Sequence, residues 1–314
     1  MTSAATADVP VAQARGLSKR YGGFVAVDAI DFEVRPGEVL GMLGPNGAGK
    51  STTMRMMYQV TPPSSGELTL FGMRSGRDAR RIKARLGVVP QIDNLDEDLS
   101  VRDNLRIHAR YHGLGPTEAA ERSDALLAFV GLEAKARQQV RSLSGGMKRR
   151  LTLARGLVSD PDLVILDEPT TGLDPQVRLA LWDKLEALRT AGATLMLSTH
   201  YMDEAERLCD RLLIMDAGRV VAAGTPRGLI AERLDPYVIE GRLKGGDDGP
   251  YRRLADAVGA TAQRSGDRLS VFVPDGRAAL ERLLGDGVDP DRAFVRPSNL
   301  EDLFLALTGR ELRE

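Results

Sequence analysis

The stretch from Val39 to Thr53 places residues suited to phosphate binding between an apparent strand and an apparent helix. It reads VLGMLGPNGAGKSTT and matches the pattern G-x-x-x-x-G-K-[ST]. The apolar run at its start predicts a buried strand, and a helical pattern begins after the glycines. Glycines let the backbone curl so that successive N–H groups point into one concavity, and the helix N-terminus adds positive potential there. The stretch therefore predicts a phosphate-binding loop.

Two side chains of this loop have specific expected contacts. Lys50 is long enough to reach the β- and γ-phosphates of a nucleotide, and the Ser51 hydroxyl can ligate Mg²⁺. The residues expected to line the phosphates are Gly44, Pro45, Asn46, Gly47, Ala48, Gly49, Lys50, Ser51 and Thr52. A glycine-rich turn that matches by chance is the alternative, but the strand–loop–helix setting favours phosphate binding.

A second chemical site is predicted at the end of the apolar run that starts at Leu163. The run is typical of a strand buried on both faces of a parallel sheet, and it ends in Asp167 and Glu168. Ligands of such sheets collect at the carboxyl ends of the strands, where adjacent carboxylates are costly unless they face a metal or water. Asp167 can bind Mg²⁺ through its water shell, and Glu168 can polarise an attacking water.

Four further residues stand where they could contact a nucleotide. Gln91 follows the predicted strand 86–90, and His200 follows the predicted strand 194–197 at a position suited to a γ-phosphate contact. Ser144 is a good N-cap for a helix whose glycines leave the N-terminus bare, although an ordinary capped helix explains that segment better on its own. Tyr21 could stack on a base, but by itself it is more typical of a packing tyrosine.

Composition excludes several classes of protein. The chain has 314 residues, of which 42% are hydrophobic and 28% are charged, so it can form roughly two globular domains. A net charge of −1 argues against a nucleic-acid surface. Its one cysteine, Cys209, excludes an internal disulfide and a cysteine metal cluster. No apolar run approaches the roughly 20 residues that span a bilayer, and the N-terminus does not resemble a signal peptide.

The pattern of segments predicts a phosphate-binding domain followed by a smaller one. We expect a flexible tail at 1–12, the main domain at 13–225 and an accessory α+β domain at 226–314, with a Gly/Asp-rich loop at 245–249. His108 and His112 lie four residues apart on one predicted helix, a spacing that suits a metal. No third ligand is evident, so we expect solvent-facing histidines.

Taken together, the motifs resemble those of the ATP-binding subunits of ABC transporters over nearly the whole chain. In chain order the matching motifs are Gly44 to Ser51 (Walker A), Gln91 (Q-loop), Ser144, Gly145 and Gly146 (signature motif), Leu163 to Glu168 (Walker B), Asp174 (D-loop) and His200 (switch histidine). Tyr21 fits the adenine-stacking aromatic of that family. Met147 replaces the usual glutamine of L-S-G-G-Q and removes any polar contact by that side chain.

The resemblance implies a fold and a set of residue roles. The fold is an α/β P-loop NTPase with an antiparallel β subdomain, a helical subdomain and a small C-terminal α+β domain. The cofactors are ATP and Mg²⁺. The implied catalytic residues are Lys50, Gln91, Glu168 and His200, the implied metal ligands are Ser51, Gln91 and Asp167, and the implied nucleotide contacts are Tyr21, the loop residues, Ser144, Gly145, Gly146 and Asp174.

The resemblance also implies partners and a location. The family works as a head-to-tail homodimer bound to a separate integral membrane permease, at the cytoplasmic face of the membrane. One chain has two helix N-termini that suit anion binding but one carboxylate pair. The helix N-terminus at Ser144 is therefore best suited to bind a nucleotide held by a partner chain. We expect the segment from Gln91 to Tyr111 to contact the permease, and no nucleic acid to bind.

Shorter stretches suggest a branch of the family. The segment 88–96 and the tail segment 298–309 resemble exporters of the daunorubicin-type drug and nodulation-factor (lipo-oligosaccharide) group. The implied activity is ATP hydrolysis that powers export of a drug, lipid or oligosaccharide-like cargo. The alternatives are an ABC-type ATPase in a non-transport role and a non-enzymatic binding module, and the intact Asp167–Glu168 pair argues against the second.

Overall fold

The computed structural model describes residues 9–243, 248–260, 262–265 and 267–309. The expected N-terminal tail lies outside the described residues up to position 8, and most of the expected Gly/Asp-rich loop lies outside them too. The chain divides into two compact units at the boundary between Gly224 and Thr225. Every helix in the described part of the chain is too short or too polar to cross a bilayer.

The first unit contains two sheets and seven α-helices in its described residues. Its strands are β1 (Ala12–Tyr21), β2 (Phe24–Val34), β3 (Val39–Leu43), β4 (Ser65–Leu70), β5 (Met73–Arg74), β6 (Leu86–Val89), β7 (Leu163–Asp167), β8 (Leu195–Thr199), β9 (Arg211–Asp216) and β10 (Arg219–Gly224). Its helices are α1 (Lys50–Met57), α2 (Ala79–Lys83), α3 (Val101–Tyr111), α4 (Pro116–Val130), α5 (Gly145–Leu157), α6 (Pro175–Thr190) and α7 (Met202–Leu208).

The six-stranded sheet of this unit positions the predicted chemistry. Its order is β10-β9-β3-β8-β7-β6, and all neighbours are parallel except β10 and β9. Strands β3, β7 and β8 are buried along their whole length, which explains their continuous apolar runs. Because the strands are parallel, the residues that follow β3, β6, β7 and β8 meet at one edge.

A four-stranded antiparallel sheet of order β2-β1-β4-β5 packs against the first sheet. Burial alternates over residues 30–34 of β2, as expected for a half-exposed antiparallel strand. Bulges interrupt the pairing of the long strand β1 with β2 and break the alternation of buried and exposed residues along it. Leu17, Met42 and Met54, from β1, β3 and α1, are fully buried in the shared core.

Helices α3, α4 and α5 pack together beside the sheets. Ser100 caps α3 by accepting a hydrogen bond from Asp103 N (3.0 Å). The expectation of solvent-facing histidines on α3 is wrong, because His108 and His112 are both partly buried, with ring centroids 4.9 Å apart. Burial, with the charges of Arg155 and His112, lowers the pKa of His108 to about 4.

The second unit is a four-stranded antiparallel sheet with helices. Its elements are α8 (Pro226–Arg233), β11 (Tyr237–Arg242), α9 (Gly249–Val258), β12 (Ala262–Ser265), β13 (Arg268–Val273), α10 (Gly276–Gly285), β14 (Ala293–Pro297) and α11 (Leu300–Thr308). The sheet order is β12-β13-β11-β14. Arg296 of β14 joins this sheet to α11 by bonding both Glu240 (Nε to Oε1, 2.7 Å) and Asp302 (Nη1 to Oδ2, 2.6 Å).

Candidate functional site

The predicted phosphate loop connects β3 to α1 and curls around the Lys50 ammonium. Nζ of Lys50 donates to the carbonyl oxygens of Gly44 (2.6 Å) and Pro45 (3.1 Å). Gly47 and Gly49 have φ angles of 86° and 100°, values that side chains disfavour and that give the loop its curl. Gly49 is the N-cap of α1, so the N-terminus of that helix opens into the loop. These features give the loop the shape and polarity of an anion-binding site.

Close packing behind the loop requires two of its glycines. A Cβ atom at Gly44 would lie 2.3 Å from the carbonyl oxygen of Met215 in β9. A Cβ atom at Gly49 would lie 2.6 Å from the carbonyl oxygen of Ala26 in β2. Both sheets therefore hold the loop in place, and they tolerate no side chain at either position.

The carboxylate of Glu168 is the point at which several predicted residues meet. Glu168 follows β7 with a left-handed φ of 46°, and its N–H contacts the Ser198 carbonyl oxygen (3.1 Å) and hydroxyl (3.0 Å). Its Oε1 lies 3.5 Å from Nζ of Lys50. The contacts of Oε2 are Gln91 Nε2 (3.2 Å), Thr171 Oγ1 (3.1 Å) and His200 Nδ1 (3.5 Å).

These neighbours keep Glu168 ionised. The His200 ring, followed by the Lys50 charge and the Thr171 hydroxyl, lowers the pKa of Glu168 to about 2 although burial opposes the shift. Burial lowers the pKa of Lys50, and Glu168 opposes that change. At neutral pH the site therefore presents a carboxylate that can accept a hydrogen bond or a proton from water.

Asp167, the last residue of β7, lies beside the phosphate loop. Its Oδ1 accepts hydrogen bonds from Ser51 Oγ (3.1 Å) and Ser198 Oγ (2.6 Å). Carboxylate and hydroxyl oxygens are the hard ligands that Mg²⁺ prefers, so Ser51 and Asp167 fit a magnesium site by their chemistry. Gln91, the third expected metal ligand, is exposed and bonds Glu168 instead.

Other predicted nucleotide contacts lie on exposed surface. The Ser144 side chain caps α5 by accepting from Met147 N (3.3 Å), and the Asp174 side chain caps α6 by accepting from Val177 N (3.0 Å). Tyr21 is 47% exposed at the end of β1, with Lys19 Nζ 5.1 Å from its ring centroid. Among the described residues, no hydrogen bond or ring contact joins Tyr21, Ser144 or Asp174 to Glu168 or to the residues that contact its carboxylate.

Gly145 and Gly146 begin α5 beside Ser144, and Gly146 has little room for a side chain. A Cβ atom at Gly146 would lie 2.5 Å from Cγ1 of Val177, in the first turn of α6. The N-terminal ends of α5 and α6 are therefore close neighbours within this chain. The α5 end can offer backbone N–H groups to an anion, whereas the α6 end begins with Pro175, which has no N–H, and is already capped by the Asp174 carboxylate.

Sequence reasoning overlooked Ser198, Thr171 and Arg149. Ser198 contacts both Asp167 and Glu168, and its position at the end of a buried strand beside two carboxylates was an available signal. Thr171 donates to Glu168 from a loop that the sequence marks only as a turn. Arg149 bonds the backbone of Asp167 and Glu168. The run Lys148-Arg149-Arg150 does not indicate which of its three cations is buried.

The chain matches two family models and several named relatives. The family model "ABC transporter" matches residues 27–171, and "Nodulation factor export protein NodI, C-terminal domain" matches residues 251–309. The chain is 49% identical to "Nod factor export ATP-binding protein I" of Cupriavidus metallidurans, over 97% of this chain and 99% of the relative. The protein of that name from Ralstonia nicotianae is 46% identical, over 97% and 96% of the two chains.

Two solved structures each cover 71% of this chain. A structure described as the ATP binding subunit of an ABC transporter has a TM-score of 0.65 at 31% identity, and covers 71% of this chain and 92% of its own. The structure of cbiO1 from Clostridium perfringens, part of the ABC transporter complex cbiONQ, has a TM-score of 0.65 at 30% identity, with 71% and 91% coverage.

Proposed function

Because the chain belongs to the ATP-binding subunits of ABC transporters, we propose that its ATP hydrolysis powers export of an amphiphilic cargo through a separate membrane subunit. One observation carries the proposal: Lys50, Gln91 and His200, from three different segments, converge on the carboxylate of Glu168. The relatives named for Nod factor export match this chain almost end to end, which favours a lipo-oligosaccharide-like cargo over other drug or lipid cargoes.

In the proposed reaction, Glu168 orients the attacking water and accepts its proton. The carboxylate is ionised and has acceptor capacity, and the left-handed backbone turn at Glu168 directs it toward Lys50 at the phosphate loop. Lys50 and the loop N–H groups neutralise the phosphate charge. His200, 14% exposed beside Glu168, is placed to donate to the terminal phosphate.

Ser51 and Asp167 are the proposed ligands of Mg²⁺, and Gln91 completes the set if its side chain turns from Glu168. When bound, the metal would neutralise charge on the β- and γ-phosphate oxygens. The Ser198 hydroxyl donates a hydrogen bond to the Asp167 carboxylate. One strand end thus holds a metal-binding carboxylate, Asp167, next to the water-activating carboxylate, Glu168, and Ser51 of α1 faces Asp167.

A head-to-tail homodimer is proposed as the working form. The Ser144 end of α5 is exposed and offers N–H groups to an anion, yet it makes no described contact with Lys50 or Glu168. The N-terminus of one chain's α5 would therefore bind the nucleotide held by the other chain's phosphate loop. Asp174, beside it at the start of α6, would lie at the same boundary.

The proposed docking surface for the permease follows Gln91. Ile92 and Tyr111 are 81% and 82% exposed, more than any other large hydrophobic side chain in the described part of the chain. Ile107, on α3 with Tyr111, is also exposed. A permease segment that covers these side chains at the cytoplasmic face of the membrane would receive movements of Gln91 directly.

Transport by the complete complex tests the proposal. The chain would be purified with its membrane subunit, reconstituted in vesicles and supplied with Mg-ATP and a fluorescent lipo-oligosaccharide. We expect ATP-dependent cargo movement with the wild-type chain and none with Glu168→Gln. ATP hydrolysis without movement of this cargo would contradict the cargo class, and absence of ATP hydrolysis would contradict the proposed function as a whole.

A further inference from the structure

Arg149 is a buried cation on α5, the helix whose N-terminus Ser144 caps. Only 4% of Arg149 is exposed, whereas its neighbours Lys148 and Arg150 are partly exposed. Lys148 pairs with Glu97 at the surface (Nζ to Oε1, 2.5 Å). The burial of Arg149 is costly, because a charge removed from water must be compensated by the groups around it.

The groups around Arg149 are mostly backbone carbonyls at the ends of β6 and β7. Its Nε donates to Pro169 O (2.6 Å), and its Nη2 donates to Asp167 O (3.3 Å) and Glu168 O (3.1 Å). Its Nη1 donates to the carbonyl oxygen of Pro90 and to Oδ1 of Asp93 (3.2 Å). One guanidinium therefore binds the backbone on both sides of Glu168, and near Gln91 it binds the backbone of Pro90 and the side chain of Asp93.

These contacts bracket Gln91 and Glu168. Pro90 and Asp93 lie immediately before and two residues after Gln91, and a second residue of α5, Thr152, also donates to Asp93 Oδ1 (2.8 Å). Glu168 is held at its own carbonyl. A shift of α5 would therefore move the backbone around both Gln91 and Glu168. No described hydrogen bond joins the side chain of either residue to α5.

We propose that Arg149 is a positioning residue that fixes Gln91 and Glu168 relative to α5. Engagement of the Ser144 end of α5 is thereby transmitted to this chain's own hydrolytic carboxylate. The transmission rests on the proposed function, in which that end binds a partner's nucleotide. Arginine suits the task because its planar fork carries five donors in fixed directions, which a lysine ammonium cannot reproduce.

The test compares Arg149→Met with Arg150→Met in the full-length chain. Arg150 lies on the same helix, but its Nη1 bonds Val130 O (2.9 Å) and has no described contact with the Gln91 or Glu168 segments. For each variant, kcat and KM for Mg-ATP and the urea midpoint of unfolding would be measured. A misplacement of about 1 Å can cost roughly 100-fold in rate, so we expect Arg149→Met to lower kcat on that order and leave KM nearly unchanged.

The control and a second variant make the result decisive. Arg150→Met should keep the wild-type kcat, and equal losses of kcat in both variants at equal stability would overturn the proposal. If Arg149→Met does not fold, Arg149→Lys decides, because it keeps the charge but not the fork. Reduced kcat with unchanged KM supports the proposal, and wild-type kcat overturns it. A wild-type chain that releases no phosphate would contradict the proposed function instead.

Discussion

Nζ of Lys50 lies 3.5 Å from Oε1 of Glu168, and both side chains are almost completely buried. The pair joins the first residue of α1 to the residue after β7. A buried ion pair contributes little net stability because both charges lose their hydration, and removal of one leaves the other uncompensated. We expect a bound phosphate to take over Lys50, which leaves the Glu168 carboxylate with Thr171 and His200 and able to engage water.

Replacement of Glu168 by glutamine should separate ATP binding from ATP hydrolysis. The amide keeps the shape of the side chain but cannot accept a proton from water, so phosphate release should fall by about 10²- to 10⁴-fold. The phosphate loop is unchanged, so nucleotide binding should persist, and size-exclusion chromatography with ATP should show a trapped dimer. Glu97→Gln, at an exposed ion pair, is the matched control and should keep wild-type turnover. Unchanged phosphate release in Glu168→Gln would remove Glu168 from its proposed role.

Replacement of Ser198 by alanine should weaken the use of Mg²⁺. Ser198 is fully buried, and its hydroxyl holds the proposed metal ligand Asp167 at 2.6 Å. Loss of such an outer partner typically costs about 10- to 100-fold in metal affinity or activity, so the Mg²⁺ concentration for half-maximal hydrolysis should rise by about tenfold or more.

Magnesium titrations of phosphate release at saturating ATP measure this effect. Thr190→Ala is the matched control, because it removes a hydroxyl on the surface of α6 whose one hydrogen bond among the described residues is to Glu186 O. A Ser198→Ala protein with the wild-type Mg²⁺ dependence would show that the hydroxyl does not orient a metal ligand.

The sequence predicted the fold best where local patterns and tertiary structure agree. The apolar run before the phosphate loop forms the predicted strand, Val39–Leu43, because it is continuous. The predicted helix that carries His108 forms at Val101–Tyr111, where Ser100 is a clear cap. The expected P-loop NTPase class is confirmed by the structural neighbours. Helix α8 was not predicted, because the segment at its start was interpreted only as a shift in composition, although Thr225 caps the helix and Pro226 suits its first position.

The site was predictable where the role of a residue follows from its own type and its position in a motif. Lys50 was predicted from the phosphate-loop motif and Glu168 from its position at the end of a buried strand. The structure brings the two side chains together. Arg149 and Ser198 were not predictable in the same way, because their roles depend on which side of a helix or strand faces the next segment. Sequence periodicity indicates a buried face, but it does not show which backbone carbonyls a buried cation meets.

His108 should make the stability of the chain depend on pH in the acid range. Burial, Arg155 and His112 lower its pKa to about 4 in the folded state, below the ordinary value of 6.5. Between these values the unfolded chain binds the proton more readily, so stability falls as pH falls from about 6.5 to about 4. The difference in urea midpoint between pH 7 and pH 4.5 should be smaller for His108→Gln than for the wild type. An identical difference in both proteins would contradict the assignment.

Glu204 should destabilise the folded chain as pH rises. The side chain is fully buried on α7, where Oε1 accepts from Thr170 Oγ1 and Trp182 Nε1 (both 2.9 Å) and Oε2 has no hydrogen-bond partner among the described residues. Burial raises the pKa of Glu204 above the ordinary 4.5, although its hydrogen bonds and Arg178 oppose the shift. Above pH 4.5 the folded state therefore binds the proton more readily than the unfolded chain, and stability falls with rising pH.

Replacement of Glu204 by glutamine tests this sign. Glutamine keeps the acceptor for Thr170 and Trp182 and carries no charge, so it should lose less stability than glutamate as the solution becomes alkaline. Urea midpoints of wild type and Glu204→Gln at pH 5 and pH 8 measure the effect. The midpoint of the variant should rise relative to that of the wild type from pH 5 to pH 8. If the wild type gained instead, the carboxylate would be ionised and favourably solvated in its pocket. The connection from Thr170 to Trp182 would then depend on a buried charge rather than on a neutral acid.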